Sequence, residues 1–320
     1  PWLGEGKVLV LEPRRLAARA AADRMAASLG QKAGGTVGYR TRLQSRIGSE
    51  TRIEVVTEGV FTRMILDDPA LEGVGAVLFD EFHERSLDAD LGLALARESQ
   101  SVLRDDLRLL VMSATLDIVG VSRLLEDAPV IEAEGRMFPV ETRYLGRNPV
   151  ERLEDAMAKA VVQALHDETG SILAFLPGQG EIHRVVQRLN DRLRDPTVDV
   201  VALYGALDKG EQDRAIEPAA LGRRKVVLAT SVAETSLTIE GVRVVIDGGL
   251  SRVPRFDPSS GLTRLATVKV SKSSAEQRRG RAGRVEPGVC YRLWDQEQTR
   301  GLVAHQRPEI QEADLTAFAL

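Results

Sequence analysis

The sequence of 320 residues is short of several things, and each shortage removes a class of function. It has a single cysteine, Cys290, so no internal disulfide can form. A disulfide-stapled secreted scaffold and a cysteine-based zinc site are both excluded, and this usage fits a reducing cytoplasm. No apolar run approaches the roughly 18–20 residues needed to span a bilayer, and no secretory pattern opens the chain. Aromatic residues are 4% of the total, which disfavours base stacking and favours sequence-tolerant gripping of a nucleic-acid backbone. Positive charge is not in excess: 43 Lys+Arg stand against 47 Asp+Glu, a net charge of −4, so any nucleic-acid site has to be local. What remains, 43% apolar and 28% charged, is the balance of a globular protein. At roughly 100–200 residues per domain, the length predicts two domains. The chain opens at Pro1 rather than methionine and stops inside a helical pattern at Leu320, so a piece of a longer protein is expected.

Short β-branched apolar runs alternate with helical stretches. The runs are Val8–Leu11, Ile53–Val56, Ala76–Phe79, Leu109–Met112, Ile172–Leu176, Val198–Leu203, Val226–Ala229 and Val242–Ile246. Continuous apolar strands of this length suit a parallel sheet covered on both faces. Between them, Leu16–Leu29 is alanine-rich and stops at Gly30. Leu153, Ala156, Met157, Ala160, Val161, Ala164 and Leu165 follow the spacing of an amphipathic helix, as do Ile182, Val185, Val186, Leu189 and Leu193. This alternation predicts an α/β fold with right-handed crossovers. The strand series pauses at the turn-forming Leu145-Gly146-Arg147-Asn148-Pro149. The expected division is therefore 1–145, 146–305, and the start of a further helical element over 306–320.

Polar motifs follow the carboxyl ends of several runs, the edge at which open α/β sheets bind ligands. Ala76–Phe79 leads into Asp80-Glu81-Phe82-His83. Two carboxylates delivered by an apolar strand suit a Walker-B role, the first holding Mg²⁺ through water and the second orienting the attacking water. Capping of the next helix is the plainer alternative. A metal-dependent hydrolase using Asp80 and His83 is weaker, because His166, His183 and His305 are each isolated in sequence. Leu109–Met112 leads into Ser113-Ala114-Thr115, and Val226–Ala229 into the hydroxyl-rich stretch from Thr230 to Thr238, whose donors suit phosphate oxygens. In Gln277-Arg278-Arg279-Gly280-Arg281-Ala282-Gly283-Arg284, Arg281 and Arg284 lie one helical turn apart, a spacing from which arginines clamp developing phosphate charge. From Arg243 to Arg284 there are ten Lys+Arg and three Asp+Glu, a local +7 and the one candidate electrostatic footprint for nucleic acid.

In combination these motifs resemble the superfamily-2 helicases of the DEAH/RHA group, in particular the bacterial HrpB-type ATP-dependent helicases. The resemblance rests on Leu11-Glu12-Pro13-Arg14-Arg15-Leu16-Ala17-Ala18 (motif Ia), Thr57-Glu58-Gly59-Val60 (Ib), Asp80 to His83 (II), Ser113 to Thr115 (III), Phe175-Leu176-Pro177-Gly178 (IV), Ala229 to Ile239 (V) and Gln277 to Arg284 (VI), and it covers essentially the whole chain. It implies two tandem RecA-like domains, each a mostly parallel sheet flanked by helices, with ATP in the cleft and single-stranded RNA or DNA across the top. It implies Asp80 (Mg²⁺) and Glu81 as the catalytic carboxylates, with Gln277, Arg281 and Arg284 reaching the nucleotide phosphates and attacking water. His83, Ser113 and Thr115 match the set that couples hydrolysis to strand movement. Arg24, Ile216, Thr238 and Glu240 match nucleotide-contacting positions. Arg14, Arg15, Arg40, Thr57, Gly59, Thr230 and Ser231 match backbone-gripping positions. Ser251 to Val270 resembles the hairpin that separates duplex strands.

The sequence departs from the family in two places. The phosphate-loop pattern G-x-x-x-x-G-K-[ST] occurs nowhere in the 320 residues, and Gly6-Lys7 is followed by Val8 where a hydroxyl should stand. The family places that loop shortly before motif Ia, so it is expected upstream of Pro1, and the 320 residues alone are expected to bind ATP poorly. Ile216 stands where the family often has an aromatic that stacks on adenine, which predicts relaxed preference among nucleoside triphosphates. An inactive RNA-binding scaffold with the same fold is the competing expectation, opposed by the intact Asp80, Glu81, Arg281 and Arg284.

Overall fold

The computed structural model describes residues 3–316 except 115–117, 134, 136, 147, 149 and 236. The chain divides into two compact units, Pro1–Glu132 with Arg307–Leu320, and Ala133–Gln306.

The first unit is built on β1 (Lys7–Glu12), α1 (Arg15–Ser28), β2 (Val37–Arg40), β3 (Ser45–Arg46), β4 (Ile53–Thr57), α2 (Glu58–Asp67), β5 (Val74–Phe79), α3 (Leu87–Val102), β6 (Arg108–Val111) and α4 (Ile118–Leu124). Its sheet runs β3-β2-β4-β1-β5-β6, parallel throughout except for the β2–β3 pair. Both faces are covered, as the continuous apolar runs required. On one side Leu9, Leu11, Val56 and Phe79 pack with Phe61, Phe82 and Leu93, and Phe79 meets Phe61 and Phe82 edge to face. On the other, Val10, Val55 and Tyr39 receive Ala18, Ala22 and Ala26, whose four-residue spacing presents one small face of α1 to the sheet.

The second unit contains β7 (Val140–Tyr144), α5 (Leu153–Asp167), β8 (Ser171–Phe175), α6 (Gln179–Arg192), β9 (Val198–Leu203), α7 (Lys209–Ile216), β10 (Arg224–Ala229), β11 (Val242–Asp247), β12 (Leu250–Asp257), β13 (Leu262–Lys269), α8 (Lys272–Gly280), β14 (Gly288–Arg292) and α9 (Gln296–Arg300). Its six strands are all parallel, in the order β7-β14-β11-β8-β10-β9. β12 and β13 form a separate antiparallel hairpin, with Leu250 opposite Lys269 and Asp257 opposite Leu262. The apolar stripes of α5 and α6 lie in one core with Ile172, Val226, Val244 and Tyr291.

Two expectations are corrected. The boundary expected at 145 falls between Glu132 and Ala133, because β7 is an edge strand of the second sheet, pairing Val140 with Gly288 through Tyr144 with Arg292. Val-Glu-Thr-Arg-Tyr escapes a search for continuous apolar runs because an edge strand has polar neighbours on its open side. The stretch 306–320, expected to begin a separate element, belongs from Arg307 with the first unit. Among the described residues no helix is long and apolar enough to cross a membrane.

Candidate functional site

In the first unit, register brings four motifs to one sheet edge. Glu12 pairs with Thr57, the Asp80 N–H donates to the Leu11 carbonyl at 3.1 Å, and the Met112 N–H donates to that of Phe79 at 2.8 Å. The chain segments of motifs Ia, Ib, II and III therefore leave the sheet side by side at its carboxyl ends.

Motif II is a tight turn closed at each end by a non-glycine residue in the left-handed region, Glu81 at φ 49° and Arg85 at φ 49°, with one 3₁₀ turn, Phe82–Glu84, between them. Such conformations are unfavourable for residues with a Cβ and persist only when their surroundings hold them. Asp80 Oδ1 accepts the Glu81 N–H at 2.7 Å, the Phe82 N–H donates to the Met112 carbonyl at 3.1 Å, and Arg14 Nη2 donates to Glu84 Oε2 at 3.0 Å. Burial raises the affinity of the Asp80 carboxyl for its proton, partly offset by the Glu81 N–H and by His83. A carboxylate whose charge is penalised by desolvation gains from a cation beside it, so Asp80 fits the role of Mg²⁺ holder. Among the described residues no group of three or more His, Cys, Asp or Glu is placed to hold a metal ion. His83 Nδ1 lies 3.6 Å from Glu81 Oε2 and 3.5 Å from the Ala114 N–H, linking motif II to motif III. Ser113 is exposed beside it, and Thr115 lies outside the described residues.

The expected backbone-gripping residues of this unit differ among themselves. Arg15 is exposed at the start of α1, and Gly59 is exposed on the first turn of α2 after half-buried Thr57. Arg14 is instead turned into motif II by its pair with Glu84, and Arg40 Nε lies 2.8 Å from the buried Glu54 carboxylate. Arg24 is exposed on α1.

In the second unit the sheet edge presents motif IV after β8, motif V after β10 and the hairpin after β11, since Ala229 and Asp247 both pair with Phe175. Arg278 organises this edge. Only 1% exposed, it donates from Nε to Glu234 Oε2 at 2.9 Å and from Nη1 to Asp247 Oδ1 at 2.8 Å. Its guanidinium also lies over the Phe175 ring at 4.9 Å and reaches the Leu250 carbonyl at 3.3 Å. The paired carboxylates more than offset the desolvation, so its proton is held more tightly than in water.

Arg281 and Arg284 have different settings. Arg281 is buried, and its guanidinium donates to the backbone carbonyls of Glu234, Thr235 and Leu237. Arg284 is exposed and donates from Nη1 to Thr238 Oγ1 at 2.6 Å. Gln277 is half-buried on α8, Thr230 and Ser231 are half-buried where β10 ends, and Glu240 is exposed. Ile216 is the last residue of α7, a helix capped by the reciprocal Asp208–Glu211 pair and held at its other end by Lys225 Nζ, which donates to the Arg214 and Glu217 carbonyls. The local excess of positive charge is smaller outside than on paper: Arg278 and Arg281 are buried, and Arg279 is paired with Glu276. Arg255 and Arg264, directly opposite each other on the hairpin, are exposed.

Comparison with known proteins matches residues 153–286 to the helicase conserved C-terminal domain. The chain is 55% identical over 315 residues to the ATP-dependent RNA helicase HrpB of Escherichia coli, covering 98% of this chain and 39% of that protein. It superposes on the crystal structure of the E. coli DEAH/RHA helicase HrpB with a TM-score of 0.92, over 98% of this chain and 40% of that one. Over nearly its whole length the chain matches part of the DEAH/RHA helicase HrpB. It is also 37% identical over 316 residues to the ATP-dependent RNA helicase HrpA of E. coli, of which it covers 24%. The two parallel sheets flanked by helices are thus RecA-like, and the chain spans about two-fifths of the length of HrpB.

Several residues that build these two sheet edges were not expected from the sequence. Arg278, Glu234 and Asp247 are three, and Glu84 and Glu58 are two more. Glu58 is buried at the start of α2 and accepts the Ser86 hydroxyl at 2.5 Å. The one available signal was a charge inside an otherwise apolar strand end, as at Asp247, which a buried partner has to answer.

Proposed function

We propose that the protein containing this chain is an ATP-dependent helicase or translocase that moves along single-stranded RNA in the 3′ to 5′ direction in the cytoplasm. The observation that carries the reading is the convergence of motifs Ia, Ib, II and III on one sheet edge, in a chain 55% identical to a named RNA helicase. In this reading Glu81 orients the attacking water, with His83 linking its turn to the Ser113 segment. Asp80 would hold Mg²⁺ through water, and the ion would supply neutralisation of phosphate oxygens. Arg284, exposed and hydrogen-bonded to the rotatable hydroxyl of Thr238, acts on the charge that develops on the transferred phosphoryl group. Arg281 acts differently: through its bonds to the motif V carbonyls it fixes the loop from which Thr230 and Ser231 meet the strand. Arg15, Thr57 and Gly59 grip the nucleic-acid backbone.

The deciding experiment is ATP hydrolysis by the longer protein with RNA, with DNA and without polymer, repeated with Glu81→Gln and Arg284→Ala. RNA-stimulated hydrolysis abolished by both substitutions supports the reading, and hydrolysis indifferent to both sinks it. The 320 residues alone, in which no G-x-x-x-x-G-K-[ST] occurs, should bind RNA without turning over ATP.

A further inference from the structure

The exit of the motif II turn is held by a residue more than two hundred positions away in sequence. Glu309 opens the 3₁₀ turn Glu309–Gln311, after Pro308. Its N–H donates to the Arg85 carbonyl at 3.0 Å, and its Oε2 accepts the Leu87 N–H at 2.9 Å. Arg85 is the second left-handed residue of the turn and Leu87 the first residue of α3, a helix of 16 residues.

These two bonds do different work. The N–H of Leu87 is one of the donors that an α-helix leaves unsatisfied at its start, and the adjacent N-cap, Ser86, uses its hydroxyl to accept from Ala89 instead. A carboxylate at that position is also favoured by the helix dipole. The bond to the Arg85 carbonyl fixes the orientation of the peptide plane that follows the left-handed residue. Arg85 is held from its side chain as well, by a two-pronged pair with Asp90 at 2.9 and 3.1 Å. Only three residues separate Arg85 from Glu81, whose own left-handed backbone aims its carboxylate. A turn this short, left-handed at both ends, cannot relax at Arg85 without moving Glu81.

We propose that Glu309 is a positioning residue for nucleotide hydrolysis: by locking the Arg85–Leu87 exit it fixes the conformation in which Glu81 orients water. It follows that the rate of hydrolysis answers to how residues 307–313 are docked, so this segment is a control point on the hydrolytic turn. The inference rests on the water-orienting role of Glu81.

The test uses Glu309→Ala and Glu309→Gln. The glutamine keeps an oxygen able to accept the Leu87 N–H, and the alanine does not. In the longer protein, Glu309→Ala should lower RNA-stimulated kcat about tenfold, with the KM for ATP within about twofold of the unsubstituted protein, and Glu309→Gln should restore most of the rate. In the 320-residue chain, hydrogen exchange at the Leu87 amide should quicken in Glu309→Ala and stay slow in Glu309→Gln. Unchanged kcat in Glu309→Ala, with the Leu87 amide demonstrably released, would overturn the proposal. So would unchanged Leu87 protection, or equal loss of rate in both variants. An unsubstituted longer protein that hydrolyses no ATP with RNA would instead overturn the role of Glu81 on which the proposal depends.

Discussion

Arg278 Nη1 donates to Asp247 Oδ1 at 2.8 Å, and neither side chain is more than 1% exposed. Through that pair and the bond to Glu234, the arginine of motif VI holds the end of β11 and the motif V loop together. Removing it leaves two carboxylates in a desolvated site, which costs far more than the pair itself contributes.

Arg278→Met should therefore destabilise the second unit by about 3–5 kcal/mol, lowering its melting temperature by on the order of 10 °C. Combining it with Asp247→Asn should cost less than the sum of the two single changes. Additive losses in urea denaturation would contradict the coupling.

Glu58 sets a pH dependence in the first unit. Burial, aided by Glu84, Asp88 and Glu309 and opposed by the Ser86 hydroxyl, pushes its carboxyl up to about 7 from an ordinary 4.5. The folded pKa is raised, so its contribution is fully present below about 4.5 and is lost as the pH rises through 7. Denaturation at pH 5 to 8 should show wild-type stability falling relative to Glu58→Gln, by about 3 kcal/mol across the whole interval. Parallel profiles for the two proteins would show that Glu58 ionises normally.

Arg281 and Arg284 should separate by phenotype. Arg284→Ala in the longer protein should reduce kcat by roughly 10³ with no change in melting temperature, since its side chain is exposed. Arg281→Ala should lower the melting temperature first, because buried carbonyls that lose their donors cost about 1–3 kcal/mol each. Identical behaviour in both assays would mean that the two arginines share one role.

Arg255 and Arg264 are exposed cross-strand neighbours, two positive charges placed where the hairpin could meet phosphate. Replacing both with alanine should leave the fold intact. It should weaken binding of oligo(U) by the 320-residue chain and lower the slope of log K against log salt by about 0.7 for each phosphate no longer neutralised. An unaltered salt slope would place the RNA elsewhere.

The sheets were legible because buried parallel strands have to be apolar on both faces, and Val8–Leu11 or Val226–Ala229 can be little else. β7 was not, since an edge strand such as Val140–Tyr144 needs only one apolar side. The motif residues were visible as polar letters after apolar runs. Their settings were not, because pairing over long sequence distance decides them. Arg14 and Arg15 are adjacent in sequence, yet one is directed to Glu84 and the other is exposed. Arg281 and Arg284 look equivalent three residues apart, and the carbonyls of 234–237 distinguish them. The docking of Glu309 on Arg85 and Leu87 left no trace in local pattern at all.

Among the described residues the hairpin of β12 and β13 pairs only with itself, and it is secured near its base by the Leu250 carbonyl on Arg278 and by Arg252 on Glu181 at 3.1 Å. Eight residues of extended chain make an arm of about 27 Å, so a tilt of about 10° at its base carries the tip roughly 5 Å. That displacement is comparable to the spacing between successive nucleotides of an extended strand. Because motif VI holds that base, any displacement of one buried guanidinium would be magnified along the arm toward its far end.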